Sequence, residues 1–464
     1  MSQLMLRAGF RLSAGILVVL SLSLVPVSSR AQTSAGSGLS GLTDTLLHAP
    51  PATGPLAYNS FVPALTTGAS YVDPVFGATV KRLTTDHMYD DIYARNMWWN
   101  ADETRYFHQG KIINLVTNTV EYTGLPLSNE LCLSSGCNNE GFDPVDPNVY
   151  YYHTGATIRK VTLQAGGTWT NTVYFTAPGG AALKDLGSTL NWWDASGRYF
   201  LVRYGPEPSV YLYDRQNLAA GPYANPVRGD ISIDTNGYIG ITPDGKFLVG
   251  HQDVPGQIRP SASVSWAINH AGRSVAAAPT IFWSLCGDHG AFMSASDGRN
   301  YYFSFNCWDT PGVWRVDITN NADGLGYAQQ KALPNNRQLL ALNSWDDANG
   351  HFTTVARGPL KDWGFVSIED GNDAFNGGTS PWRTYRQEII AINVVTNEVR
   401  RLAHHRSRGI GADYFYTPRL SVSWGGKYVG WASNFNQNGV VDVYAIPLSP
   451  DTTAPISPRN LRVE

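Results

Sequence analysis

An apolar strand, a tight turn and an aromatic-rich strand recur along most of this chain, and that recurrence limits the fold more than any other feature. It is read in "NMWWNADETRYFHQ" (96–109), "TLNWWDASGRYFLVRY" (189–204) and "YIGITPDGKFLVGHQ" (238–252). It returns in "GAFMSASDGRNYYFSFN" (290–306), "LNSWDDANGHFTTVAR" (342–357) and "RLSVSWGGKYVGWASN" (419–434), with a weaker copy, "CNNEGFDPVDPNVYYYHTG", over 137–155. The turns combine Asp, Ser or Asn with Gly, which tolerate the positive φ angles of tight hairpins. Strands such as "VYLYDRQ" and "GVWRVDITN" lie between copies, so each period of about 45–55 residues holds roughly four strands. Seven copies predict an all-β, seven-bladed β-propeller of four-stranded antiparallel blades over 71–449. The segment "ATVKRLTTD" (78–86) precedes the first copy and is expected to complete the last blade, closing the ring.

Composition agrees. The chain has 46 Gly, 14 Trp and 24 Tyr with only 15% charged residues, which suits turns and aromatic strands better than charged helical surfaces. The alternative of paired β-sandwiches does not explain so regular a repeat.

The ends read differently. Arg7 and Arg11, the apolar "AGILVVLSLSLVPV" and small residues at Ser29 and Ala31 predict an export signal over 1–31. The protein is therefore expected to be secreted or periplasmic, with no membrane anchor, and to act as a monomer. A small, polar leader is expected over 32–70. Residues 450–464 are Pro-rich, and "DTTAP" followed by "NLRVE" resembles the opening of a fibronectin type III module. Removing Arg7, Arg11 and Arg30 with the signal leaves 31 basic against 37 acidic residues, a net charge near −6. That argues against a nucleic-acid partner. It leaves room for an anionic one, because a few arginines in a cleft can outweigh an acidic exterior.

Propeller topology then sorts the polar residues. The first strand of each blade lines the channel and the second returns beside it, so the start of one and the end of the other share a face. Leading inner strands are Asp90, Asp91, Tyr93 and Arg95, then Asp185, His289, and Tyr414, Tyr416 and Arg419. Ending second strands are His108, Gln109, Arg203, Tyr204, His251, Gln252, Asn306 and Asn434. His351 follows an Asn-Gly turn and is expected on the opposite face. His404 and His405 are expected on an exposed outer strand or loop. Cys286 and Cys307 flank one hairpin and should lie within the roughly 4.4–6.8 Å Cα separation of a disulfide, leaving Cys132 and Cys137 as a second pair.

No G-x-S-x-G elbow, HExxH or P-loop is present. The "PDG" and "SDG" turns resemble those of TolB-like and WD40-like propellers. "DHGAFMSASDG" is similar to the His-led inner strands of oligogalacturonate lyases, and "YARNMWWNADET" resembles the opening of secreted propellers that include ulvan-lyase-like proteins. The resemblance spans roughly 75–450 and implies a polysaccharide lyase acting by β-elimination on a uronic-acid-containing polymer. The pectin-type enzymes carry further metal-binding histidines in later blades. Here "YTPRL" has Arg419 where one would stand, so a divalent metal has no complete ligand motif.

Such a reaction needs a cation to neutralise the uronate carboxylate, a base for the adjacent proton and an acid for the leaving oxygen. Arg95, Arg419, Arg203 and Asp91 are the candidates for binding the substrate. His289 or His251 is the candidate base, and Tyr416 or Tyr93 the acid. The structural reading of His289 is a strut that hydrogen-bonds the next blade. Two other functional classes are open: a non-catalytic carbohydrate- or protein-binding propeller, and a glycosidase, which would need two facing carboxylates such as Asp91 and Asp185.

Overall fold

Strands form where β-branched and aromatic residues alternate with tight turns, and in the computed structural model they assemble into seven sheets. The structure describes residues 42–43, 61–87, 98–126, 141–184, 192–205, 209–227, 239–253, 261–285, 289–306, 308–342, 345, 348–369, 384–411 and 416–448. Blade one pairs Arg105–His108, Lys111–Asn114 and Thr119–Tyr122, with Trp99 bridging Tyr106 at the inner edge. Blade two runs Gly141–Phe142, Val149–Thr154, Thr157–Leu163 and Trp169–Thr176. Blade three pairs Leu183–Lys184, Tyr199–Tyr204 and Ser209–Asp214, and Trp193 bridges Phe200. Blade four holds Ile239–Ile241, Phe247–Asp253 and Ser261–Asn269, with two short outer strands, Ser274–Val275 and Thr280–Trp283.

Blade five contains Gly290–Ser294, Asn300–Asn306, Gly312–Asp317 and Arg337–Ala341, with one helical turn, Tyr327–Lys331, before its outer strand. Blade six contains Gly350–Thr354, Trp363–Ile368, Glu388–Asn393 and Val399–His404, and Leu42–Thr43 adds a fifth strand at its outer edge. Blade seven contains Ser421–Val422, Tyr428–Ser433 and Asp442–Pro447, then takes Thr79–Arg82 and Ser70–Val72 from the other end of the chain. The protein is a seven-bladed propeller, mostly of four-stranded blades.

Aromatic rings fill the spaces between blades. Phe107 stacks on Tyr150 at 4.3 Å between blades one and two, and Phe303 meets Phe352 edge-on at 5.0 Å between five and six. Trp99 lies parallel to Tyr428 at 5.6 Å, joining blade one to blade seven. Burying such rings removes 150–250 Å² each, roughly 4–6 kcal/mol of transfer free energy apiece. The tryptophans at 98, 99, 192 and 193 are accordingly core residues.

Ring closure joins residues some 360 positions apart. Tyr444 lies opposite Arg82 and Ala445 opposite Lys81. The Arg82 guanidinium pairs with the buried Asp442 carboxylate, to which Thr84 Oγ1 donates at 3.0 Å and the His87 amide at 3.2 Å. Asp442→Ala would leave a buried, unpaired guanidinium at this seam and is expected to destabilise the fold by about 3–5 kcal/mol. Denaturant unfolding measures it; an unchanged midpoint would show that the seam carries no stability.

At the end opposite the starts of the inner strands, one arginine ties four blades together. Arg357, in the inner hairpin of blade six, donates across the channel to Ala101 O at 2.7 Å, Pro144 O at 2.5 Å and Ala195 O at 3.4 Å. Those carbonyls belong to the hairpins of blades one, two and three.

Two expectations are corrected. His351 does not lie on the opposite face. Asn349-Gly350 is not the hairpin turn but the start of the inner strand, and the turn falls between Thr354 and Trp363. Gly350 has φ +154°, and a Cβ there would come within 1.7 Å of Ser367 O, so glycine serves close strand approach here. His351 therefore leads blade six just as His289 leads blade five. His404 and His405 are not exposed but fully buried. His404 ends the last regular strand of blade six, and the incoming N-terminal chain covers it: Phe76 lies 5.0 Å from its ring, and Asp73 Oδ2 accepts from its amide at 3.2 Å.

Candidate functional site

The face where inner strands begin gathers the polar residues that topology assigns to it. His289, His351 and Arg419 lead blades five, six and seven; Glu369 follows the second strand of blade six. These four meet. His351 Nδ1 donates to the Glu369 carboxylate at 2.8 and 3.0 Å. Ser367 Oγ donates to the same carboxylate at 2.6 Å and the Arg419 amide at 3.2 Å. His289 stacks on His351, ring centres 4.4 Å apart and planes 25° from parallel. Ser304 Oγ donates to the His289 carbonyl at 2.9 Å, fixing its backbone to the neighbouring strand.

Glu369 is buried, which alone would raise its carboxyl. It is nevertheless held below its ordinary value by the His351 imidazole and its hydrogen bond, then by Ser367 and the nearby His289. Behind it, His405 Nε2 donates to Ile368 O at 3.2 Å, while its Nδ1 accepts from the Ser407 amide at 3.1 Å. Burial pushes His405 down to about 3, with Arg408 adding to the effect and Glu369 opposing it. The imidazole is thus neutral, with its proton on Nε2. Arg408 is itself buried, held by reciprocal hydrogen bonds between its backbone and the Asn434 side chain at 2.9 and 2.7 Å.

Backbone strain concentrates on the same face of blades six and seven. Tyr385, Gln387, Arg406, Arg419, Phe435 and Asn436 all have positive φ, between 42° and 67°. Non-glycine residues held this way cost of order 1 kcal/mol or more and cluster where side chains must be aimed.

The remaining candidates are distributed around this face. His251 ends the second strand of blade four, opposite Ser263, and is 2% exposed. Arg203 lies at the end of the second strand of blade three, opposite Val210, and is part-buried. Tyr416 is buried against Ala432 and Val441, its hydroxyl accepting from the Gly439 amide at 2.8 Å. His108 Nε2 donates to Asp86 at 3.0 Å. Asp91, Tyr93, Arg95 and all four cysteines lie outside the described residues. Gly290 and Asn306, from which the chain leaves toward Cys286 and Cys307, lie at one end of the same hairpin.

Glu369, His351, His405 and Arg408 are additions to the residues found from sequence. Glu369 was detectable by the same rule that located His251, since it directly follows a second strand; displacing the blade-six hairpin onto Asn349-Gly350 hid it. The described residues do not fit the divalent metal that the lyase resemblance implies. Among them no group of three or more His, Cys, Asp or Glu is disposed to hold a cation. His351 Nδ1 is also committed to Glu369, and the buried Arg408 and Arg419 bring positive charge to the same spot.

The chain is a seven-bladed propeller resembling the TolB-like and WD40-like kinds. Among solved structures it is similar to an oligogalacturonate lyase from Vibrio parahaemolyticus, with 13% identity and a TM-score of 0.47, covering 82% of this chain and 96% of that one. It is also similar to TolB from Acinetobacter baumannii, with 11% identity and a TM-score of 0.33 over 73% and 75% of the two chains. A third similarity is to prolyl oligopeptidase B from Galerina marginata, with 9% identity and a TM-score of 0.36 over 66% of this chain and 39% of that one. No protein-family model matches the sequence, and no curated protein matches it. These likenesses are of architecture, so function has to be argued from the site's own residues.

Proposed function

We propose that this propeller is an exported polysaccharide lyase that cleaves a uronic-acid-containing polymer by β-elimination at the mouth of its channel. The observation that carries the reading is the His289–His351–Glu369 arrangement beside Arg419. It combines a part-exposed imidazole, a buried carboxylate orienting the ring beneath it, and cationic surroundings.

The hydrogen on the carbon next to a uronate carboxylate is weakly acidic, so the carboxylate charge must be offset before that proton can leave. Arg419 contributes positive potential from its buried position, and Arg203, part-buried near the end of the second strand of blade three, is the candidate to contact the carboxylate directly. His289 takes the proton; the electron pair forms the new double bond as the bond to the leaving sugar oxygen breaks. That oxygen needs a proton, for which Tyr416 and Tyr93 are the candidate donors. Glu369 does not touch the substrate. It fixes His351, the ring on which His289 rests. The N-terminal apolar segment supports export, and the site's cationic character supports an acidic polysaccharide as partner.

The test is direct. Pectate, alginate, ulvan and a glycosaminoglycan are each incubated with the protein, and the unsaturated product is followed by its ultraviolet absorbance. A rise with one of them is expected. No rise with any, alongside retained binding to one, would replace the lyase with a carbohydrate-binding module.

A further inference from the structure

Ten of the described tryptophans are buried in the blades, as the hydrophobic effect demands. Two are not. Trp308 is 44% exposed and Trp345 is 47% exposed. Both stand on the catalytic face of adjacent blades. Trp308 lies two residues past Asn306, the last residue of the strand paired with the one that His289 leads. Trp345 lies five residues before Gly350, in the segment that delivers His351.

The Trp308 loop is braced rather than loose. Asn306 Oδ1 accepts from the Trp308 amide at 3.1 Å, and Asn306 Nδ2 donates to Asp309 at 2.7 Å. Asp309 in turn pairs with Lys331, at the end of the helical turn outside blade five. Tyr327, on that same turn, lies 6.0 Å from the Trp308 ring. A large ring with 44% of its surface exposed, held by a hydrogen-bonded loop, can take part in recognition.

We infer that Trp308 and Trp345 form an aromatic platform that binds the sugar chain of a long polyuronide beside the reacting residue. The inference rests on the lyase reading for its substrate class. A pyranose ring presents a face of C–H groups that packs on an indole, while its carboxylate and hydroxyls stay directed to water or to the arginines. With one ring on blade five and the other on blade six, the chain runs along the rim past His289 and His351. The platform makes the protein a binder of polymer rather than of short fragments.

The test compares Trp308→Ala, Trp345→Ala and the double variant with the unsubstituted protein. KM is measured for whichever of the four polymers is cleaved, and for a trisaccharide of the same polymer. The ratio of polymer KM to trisaccharide KM is expected to rise about tenfold for each substitution, the effect of losing one stacked contact. Melting temperatures are expected to stay unchanged, because both rings are exposed. An unchanged ratio overturns the platform while leaving the lyase standing. If no polymer is cleaved, affinity electrophoresis in gels containing each polymer replaces KM. Retardation that the double variant loses keeps the platform and rejects the lyase; retardation that it retains, or none at all, rejects the platform.

Discussion

His289→Ala is expected to lower kcat/KM on the cleaved polyuronide by 10²–10⁴-fold, the range a positioned proton acceptor contributes. The argument is geometric. Of the imidazoles in the cluster, His351 and His405 are buried, and both are engaged in hydrogen bonds to protein groups, whereas His289 is part-exposed. It is held from below by the His351 ring and from behind by the Ser304 hydroxyl bond to its carbonyl. A strut between blades would show a different signature: His289→Ala would then lower the melting temperature while leaving turnover per folded molecule intact. That outcome would remove the catalytic assignment. Glu369→Gln separates positioning from packing. It keeps the shape and the acceptor for His351 but removes a buried negative charge that favours protonated imidazole. The acid limb of the kcat/KM profile is expected to move to lower pH, a shift that a purely structural carboxylate would not produce.

How far the sequence reveals this site depends on one turn. Where Asp-Gly or Ser-Gly sits between apolar and aromatic runs, as at Asp244-Gly245 and Asp297-Gly298, the hairpin is legible and the blade follows. The closing strand is legible too, because "TVKR" has strand character but no blade of its own, and it pairs with Asp442–Pro447 as expected. Blade six misleads because Asn-Gly, the strongest short hairpin signal, here begins a strand. The true turn, "ARGPLKDW", contains an equally good Gly-Pro signal. Choosing between them needs knowledge of Ser367 O, against which only a glycine fits. His404 and His405 defeat local reading for another reason. His404 is covered by Asp73 and Phe76, more than 300 residues away, and His405 is held against Ile368 and Trp431, so no window on "RLAHHRSR" contains that information.

That burial has a consequence large enough to measure without a substrate. Acidification from pH 7.5 to 5 is expected to cost the protein about 2 kcal/mol of stability through His405 alone, with His404 acting in the same direction. His405 is pushed down to about 3 by burial, with Arg408 adding to the effect; His404 is depressed by burial, then by Arg406, Arg401, His405 and Arg408. In the unfolded chain both imidazoles return to about 6.5. Below that pH the unfolded state binds a proton at His405 that the folded state refuses, so stability falls with pH at about 1.4 kcal/mol per unit, and the depressed His404 adds a loss of the same sign. The loss continues, for His405, until pH reaches its folded value near 3. The carboxylates facing them act elsewhere on the scale. Glu369 is held low, so its contribution is present above its unfolded value of 4.5 and is lost only below it. Asp73 is raised by burial, an effect of the opposite sign. As pH falls it gains stability rather than losing it, and so offsets part of the loss from the histidines. A fall in melting temperature beginning near pH 6.5, made less steep by His405→Gln, is therefore expected. A melting temperature level from pH 7.5 to 5 would mean that these two imidazoles accept protons in the folded state. The arginine-rich interior of blade six would then have to be more open to water than its packing allows.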